Sequence, residues 1–167
     1  MTLDIWIPAE APQHRRDVLA TIANVHLYPP SGPWPEQLGH GDLLVAHDDL
    51  STTLEAIPRI DGLRVVQTMS AGVDRIVDQI PAGIMLCDAA GVHDVGVAEW
   101  VLMAILASNR KLPMLMEGQR AASWRRDDAR GQDLEGSRVL ILGHGSIGRA
   151  LEERLRPFSV TVDRVAR

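Results

Sequence analysis

Short apolar runs alternate with amphipathic or polar stretches along the first half of the chain. Leu3-Asp4-Ile5-Trp6-Ile7 predicts a strand. Pro12 is tolerated in a first helical turn, and Val18, Leu19 and Ile22 give an apolar stripe at helical spacing that predicts a helix to Asn24. Val25 to Tyr28 predicts a second strand, closed by Pro29-Pro30, and the Pro- and Gly-rich Ser31 to Pro35 a loop. Asp42 to His47 predicts a third strand. Thr52 and Glu55 have capping-box spacing, which opens a helix to about Ile60. Leu63 to Thr68 and Ile84 to Cys87 complete five strands. Strands separated by helices require crossover connections, hence a parallel sheet with helices on both faces.

The texture changes after Gly91. Nearly every residue from Val95 to Ala107 is apolar, which predicts a helix buried on most sides. Pro113 interrupts it and starts a second helix to about Ala122. Trp124 to Ser137 is polar and rich in Arg, Asp and Gly, as a loop would be. Arg138-Val139-Leu140-Ile141-Leu142 then predicts a strand apolar on both faces. Ile147, Leu151, Leu155 and Phe158 recur at helical spacing, Pro157 ends that helix, and Val160 to Val165 is a further strand. The predicted class is therefore α/β. Residues 1–92 form a flavodoxin-like parallel-sheet domain, residues 93–122 connecting helices, and residues 123–167 the beginning of a second, Rossmann-type unit that stops after its second strand.

Composition narrows the partners. Hydrophobic residues make up 46% and charged residues 23%, a globular balance that excludes disordered and fibrous classes. The formal net charge is −5 without a block of Lys and Arg, so no basic face is expected to neutralise the phosphates of a nucleic acid. Cys87 has no partner for a disulfide and reads as a small buried hydrophobe in a reducing compartment. The N-terminus lacks a signal-peptide pattern, and the Val95–Ala107 run is too short for a membrane span. The expectation is a cytoplasmic protein with no membrane or nucleic-acid partner.

The sharpest chemical signal is Gly143-His144-Gly145-Ser146-Ile147-Gly148. This GxGxxG follows a buried strand and opens an amphipathic helix, the context that a dinucleotide-binding fingerprint requires. Gly143 permits the tight turn, Gly145 lets the backbone approach a diphosphate, and Gly148 lets helix and strand pack closely. The helix N-terminus presents unpaired N–H groups to the phosphates. At the end of the next strand, an NAD-binding protein usually places an acid on the ribose hydroxyls. Here that end is Ala166-Arg167, and a cation suits the extra phosphate of NADP, so NADP is expected over NAD. Asp163 is the competing residue if the strand register differs. Ser146 is no nucleophile elbow, because G-x-S-x-G would need glycine where His144 stands. His40 and His47, with Asp42 and Asp48, read as solvated loop residues with a strand between them, so no metal site is expected.

Three landmarks together resemble the D-isomer-specific 2-hydroxyacid dehydrogenases, the family that includes phosphoglycerate dehydrogenase and hydroxypyruvate or glyoxylate reductases. Gln67-Thr68-Met69-Ser70-Ala71-Gly72-Val73-Asp74 is similar to the family's substrate loop. Gly91-Val92-His93-Asp94 through Val97-Ala98-Glu99 is similar to the start of its interdomain helix, and Leu134-Glu135-Gly136 through Gly148 to its entry into the cofactor domain. The resemblance implies that Ser70, Ala71 and Gly72 offer backbone N–H groups to the carboxylate of a small 2-oxo or 2-hydroxy acid. It also implies hydride transfer to or from NADP or NAD, and a homodimer. Asp74 reads as a helix cap. Glu99 either lines the site near the nicotinamide or is an early-helix carboxylate satisfied by the helix dipole. The family's catalytic arginine, glutamate and histidine have no counterpart here, so no catalytic residue is assigned and little turnover is expected from this chain alone. The alternative is a non-catalytic remnant that binds nucleotide or pairs with another chain. Ser159 stands where the family usually has glycine.

Overall fold

The computed structural model describes residues 2–127 and 130–166. The chain divides into two compact units, Met1–Ala90 and Gly91–Arg167. Each is α/β with parallel strands, as the alternation of apolar runs required.

In the first unit the chain runs through β1 (Leu3–Pro8), α1 (Gln13–Ala20), β2 (Ala23–Tyr28), β3 (Gly39–His40), β4 (Leu43–Val45), α2 (Leu50–Ala56), β5 (Ile60–Asp61), β6 (Val65–Gln67) and β7 (Met85–Cys87). Five of these strands form one parallel sheet in the order β2-β1-β4-β6-β7, and β3 pairs with β5 in a second. Alternation along β1 sends Trp6 to one face, with Tyr28, Leu44, Ala56, Ile57, Ile60 and Val66. Ile5 and Ile7 go to the other, with Ala23. Both faces of β1 are thus covered, which is why its sequence is nearly continuous in apolar residues. Tyr28 is fully buried; its hydroxyl donates to the Val45 carbonyl at 2.8 Å, and burial pushes the phenol well above its ordinary pKa.

Several boundaries differ from expectation for identifiable reasons. Helix α1 ends at Ala20, short of Asn24, because Ala23 and Asn24 pair with Leu3 and Asp4 of β1. Val18 and Ile22 are consequently exposed, and only Leu19 of the expected stripe packs on the core. Helix α2 is capped by Asp49, whose carboxylate accepts the Ser51 N–H at 3.0 Å, and not by a Thr52–Glu55 box. The two threonine hydroxyls are occupied by tertiary bonds instead: Thr52 donates to the Pro30 carbonyl, and Thr53 accepts the His47 N–H. The helix stops at Ala56, and Pro58 sits in a 3₁₀ turn, Ile57–Arg59, that delivers Ile60 to β5. Between β6 and β7 there is only the 3₁₀ turn Val77–Gln79, so Asp74 caps no α-helix. Pro81 disfavours helical backbone at Ile80, which is extended. Cys87 is half-buried, less enclosed than its composition suggested.

The second unit comprises α3 (Asp94–Asn109), α4 (Leu112–Arg120), β8 (Arg138–Leu142), α5 (Ser146–Leu155) and β9 (Thr161–Val165), with β8 and β9 parallel. Its core gathers Ala98 of α3 with Leu134, Ile141, Leu151 and Leu155. Helix α3 is not buried on most sides as expected. Ala98 is its one buried residue, and Trp100 and Met103 are more than half exposed, because one stripe suffices for packing on this unit's core. Strand β8 likewise buries Ile141 while Leu140 and Leu142 lie 58% and 75% exposed. Ser159 adopts φ 53°, the left-handed conformation that costs serine about 1 kcal/mol over glycine. No described helix is long and apolar enough to cross a membrane.

Candidate functional site

The glycine-rich turn has the geometry its sequence requires. Gly143 takes φ +95°, and its N–H donates to the Val165 carbonyl, which fastens the turn to β9. Gly145 is the N-cap of α5 with no side chain capping it, so the helix's first N–H groups are unpaired. A Cβ built at Gly145 meets nothing within 4 Å, so among the described residues no side chain lies against that position. A Cβ at Gly148 would lie 2.5 Å from the Gly143 carbonyl oxygen and 3.3 Å from Ile141. Open amides at a helix N-terminus, unblocked by side chains, are what a dinucleotide's diphosphate needs. Ser146 and Ile147 form the first turn of α5.

His144 is tied down. Its Nε2 donates to Glu152 Oε2 at 2.6 Å, and Arg164 of β9 donates to the same oxygen at 2.7 Å and also to Oε1. Arg164 foremost, aided by His144, holds the Glu152 carboxyl at a pKa of about 2, against an ordinary 4.5. A depressed carboxylate pKa means that the stabilisation is complete above pH 4.5 and is lost as pH falls toward 2. Acid titration of urea unfolding midpoints should therefore fall less steeply between these values in Glu152→Gln than in the parent. Parallel curves would show that the network contributes nothing to stability.

In the first unit, the backbone after β6 turns sharply at Ser70–Gly72. Thr68 Oγ1 donates to the Ser70 carbonyl at 2.7 Å, the Ala89 N–H donates to the same oxygen at 3.1 Å, and Ser70 Oγ donates to the Gly72 carbonyl. The Ser70 and Gly72 carbonyls are thus occupied, while no backbone hydrogen bond from the Ser70, Ala71 or Gly72 N–H occurs among the described residues. Ser70 and Gly72 line a cavity of about 210 Å³ with His47, Thr68 and Arg75. A neighbouring cavity of about 350 Å³, lined by Ile7, Glu10, Val45, His47 and Met69, opens between the ends of β1 and β4. The chain's connections reverse direction there, the usual ligand position in open parallel sheets. His47 stands between the two: its Nδ1 accepts the Asp49 N–H at 2.8 Å, which places its proton on Nε2, facing Glu10.

A sequence model of the "D-isomer specific 2-hydroxyacid dehydrogenase, NAD binding domain" matches residues 102–167. D-3-phosphoglycerate dehydrogenase of Methanocaldococcus jannaschii is 26% identical over 129 residues, which are 76% of this chain and 25% of that protein. Mouse glyoxylate reductase/hydroxypyruvate reductase is 36% identical over 103 residues, 59% of this chain and 31% of that one. The PH0520 protein of Pyrococcus horikoshii superposes with a TM-score of 0.76 at 25% identity, covering 100% of this chain and 53% of its own. These likenesses support the D-isomer-specific 2-hydroxyacid dehydrogenase family for this chain. It spans about half the length of the solved relative and less of the curated ones.

The match of residues 102–167 to an NAD-binding domain supports a nicotinamide cofactor. Glu99 of α3 is largely exposed and lies 3.6 Å from Arg154 of α5, a distant pairing within this unit. Asp163 sits opposite Leu140 in the β8–β9 register, two residues before the strand's end, and is paired with Arg138 at 2.7 Å. The strand ends at Val165, just before the expected Ala166-Arg167, and Arg167 lies outside the described residues. No local pattern joins His47 to Glu10, which are far apart along the chain. Glu152 carried a faint signal: it lies four residues after Gly148 and three before Leu155, on the edge of the face that α5 buries.

Proposed function

We propose that this chain supplies the substrate-carboxylate turn and the nucleotide-diphosphate turn of an NAD(P)-dependent 2-hydroxyacid dehydrogenase. Such an enzyme moves hydride between the nicotinamide and the carbon bearing the substrate's hydroxyl. Residues 1–92 are the substrate domain, 93–122 the connecting helices, and 123–167 the start of the dinucleotide-binding domain. The single observation that carries the reading is the open, uncapped Gly143–Gly148 turn on a parallel β8–α5–β9 unit. Ser70, Ala71 and Gly72 turn free amides toward a small 2-oxo or 2-hydroxy acid, a class to which the relatives' named substrates belong.

NADP is preferred over NAD. No acid stands at the end of β9, and the nearest, Asp163, is held by Arg138. No described residue is assigned the role of the family's substrate-holding arginine, its proton-moving histidine or the glutamate that supports that histidine, so the chain is read as one that binds nucleotide with little turnover by itself. Trp100 and Met103, exposed three residues apart on α3, support pairing of two copies.

Fluorescence titration of the purified chain should give saturable NADPH binding, tighter than NADH. The same sample should leave NADPH unoxidised with hydroxypyruvate or glyoxylate and scatter light as a dimer. Absence of any nucleotide binding would remove the proposal. Turnover at an enzyme-like rate would remove only the statement about proton transfer, and a monomer only the pairing.

A further inference from the structure

At the N-terminal ends of the strands, away from the Ser70–Gly72 turn, the first unit gathers a second set of polar side chains. Asp4 is the second residue of β1, His40 ends β3, and Asp42 precedes β4. One ligand atom from each lies within 4.8 Å of the other two. We propose that Asp4, His40 and Asp42 form a binding site for a divalent transition-metal ion of the zinc class, separate from the dehydrogenase site.

The neighbours hold these groups in place. Asp4 Oδ1 accepts from His26 Nε2 at 2.7 Å and from Asn24 Nδ2 at 3.3 Å, which leaves Oδ2 free. Asp42 Oδ2 accepts the Asp4 N–H at 3.0 Å, and Oδ1 accepts from Arg64 at 2.7 Å, so each oxygen keeps a lone pair. These bonds hold both carboxyls below their ordinary pKa, with His26 the leading cause for Asp4 and the Asp4 N–H for Asp42. Both are anions at neutral pH. Arg64 offsets one of the two negative charges.

His40 supplies the nitrogen. Its carbonyl accepts from Trp6 Nε1 at 3.0 Å, which fixes its backbone, while its ring makes no hydrogen bond among the described residues. The ring lies against Gly62, where a Cβ would come within 2.8 Å of it. Gly41 lets the chain pass Trp6, since a Cβ there would collide with the indole. An imidazole without a partner beside two oriented carboxylates is a mixed nitrogen and oxygen donor set. Such a set suits borderline divalent ions, whereas Mg²⁺ and Ca²⁺ prefer oxygen alone. The His26–Asp4 bond is the outer support that ligating carboxylates commonly have.

Isothermal titration of the purified chain with ZnCl₂ tests this, with MgCl₂ and CaCl₂ as comparisons. One zinc equivalent should bind saturably, and the hard ions far more weakly. His40→Ala should weaken zinc binding on the order of 10-fold or more with an unchanged far-UV spectrum. Co²⁺ should develop visible absorption bands in the parent that His40→Ala lacks. Asp4→Asn is the second variant and should also weaken binding. Zinc binding that His40→Ala leaves unchanged would locate the ion elsewhere, for instance at His47 and Glu10, and would overturn the proposal. No zinc binding at all would overturn it as well. Neither result bears on NADPH binding, which belongs to the other unit.

Discussion

Gly145→Val is expected to abolish NADPH binding while the protein stays folded, and Gly148→Ala to damage the fold itself. The two glycines belong to one motif, but their surroundings differ. Gly145 has φ −77° and open space around its Cβ position, so valine fits the backbone and costs only about 1 kcal/mol as a poorer helix cap. Its branched side chain occupies the space that a diphosphate would take. At Gly148 a single methyl meets the Gly143 carbonyl at 2.5 Å, and backbone cannot move aside as a flexible side chain would. Overpacking of that kind costs about 1–3 kcal/mol or more. Thermal melts paired with fluorescence titrations separate the cases. Tight NADPH binding by Gly145→Val would remove the diphosphate assignment.

Leu44→Ala should be the most damaging core truncation in the first unit, with a loss of about 2–5 kcal/mol. Leu44 is fully buried in β4, between β1 and β6, and shares its cluster with Trp6, Tyr28 and Val66. With domain stabilities of about 5–15 kcal/mol, such a loss is a large fraction of the whole. Leu44→Ile, which preserves volume, should cost less than about 1.5 kcal/mol. Urea unfolding of both variants is the measurement. Equal losses would mean that the cavity term is not what matters at this position.

The strands and the glycine-rich turn were legible in the sequence because each signal was local. Buried strands read as apolar runs, and the GxGxxG spacing sits within one turn of a helix. The errors arose where a distant partner decided the outcome. Asn24 was claimed by β1 through strand pairing, and Thr52 and Thr53 were claimed by Pro30 and His47. Propensity gives no weight to such contacts, and a helix apolar all round, like α3, does not announce which stripe is covered. The polar clusters were hidden for the same reason. Asp4 lies in β1, whereas His40 and Asp42 stand two residues apart between the end of β3 and the start of β4, and only the sheet order that sets β1 beside β4 brings Asp4 to them.

The contact between Gly148 and the Gly143 carbonyl has a further consequence. With no room even for a methyl group, the start of α5 is wedged against the end of β8, and the Gly143 N–H is bonded to β9. A loop so restrained has little conformational freedom left to surrender when an anion arrives. The entropic penalty was met when the chain folded, and more of the electrostatic attraction is then available as affinity.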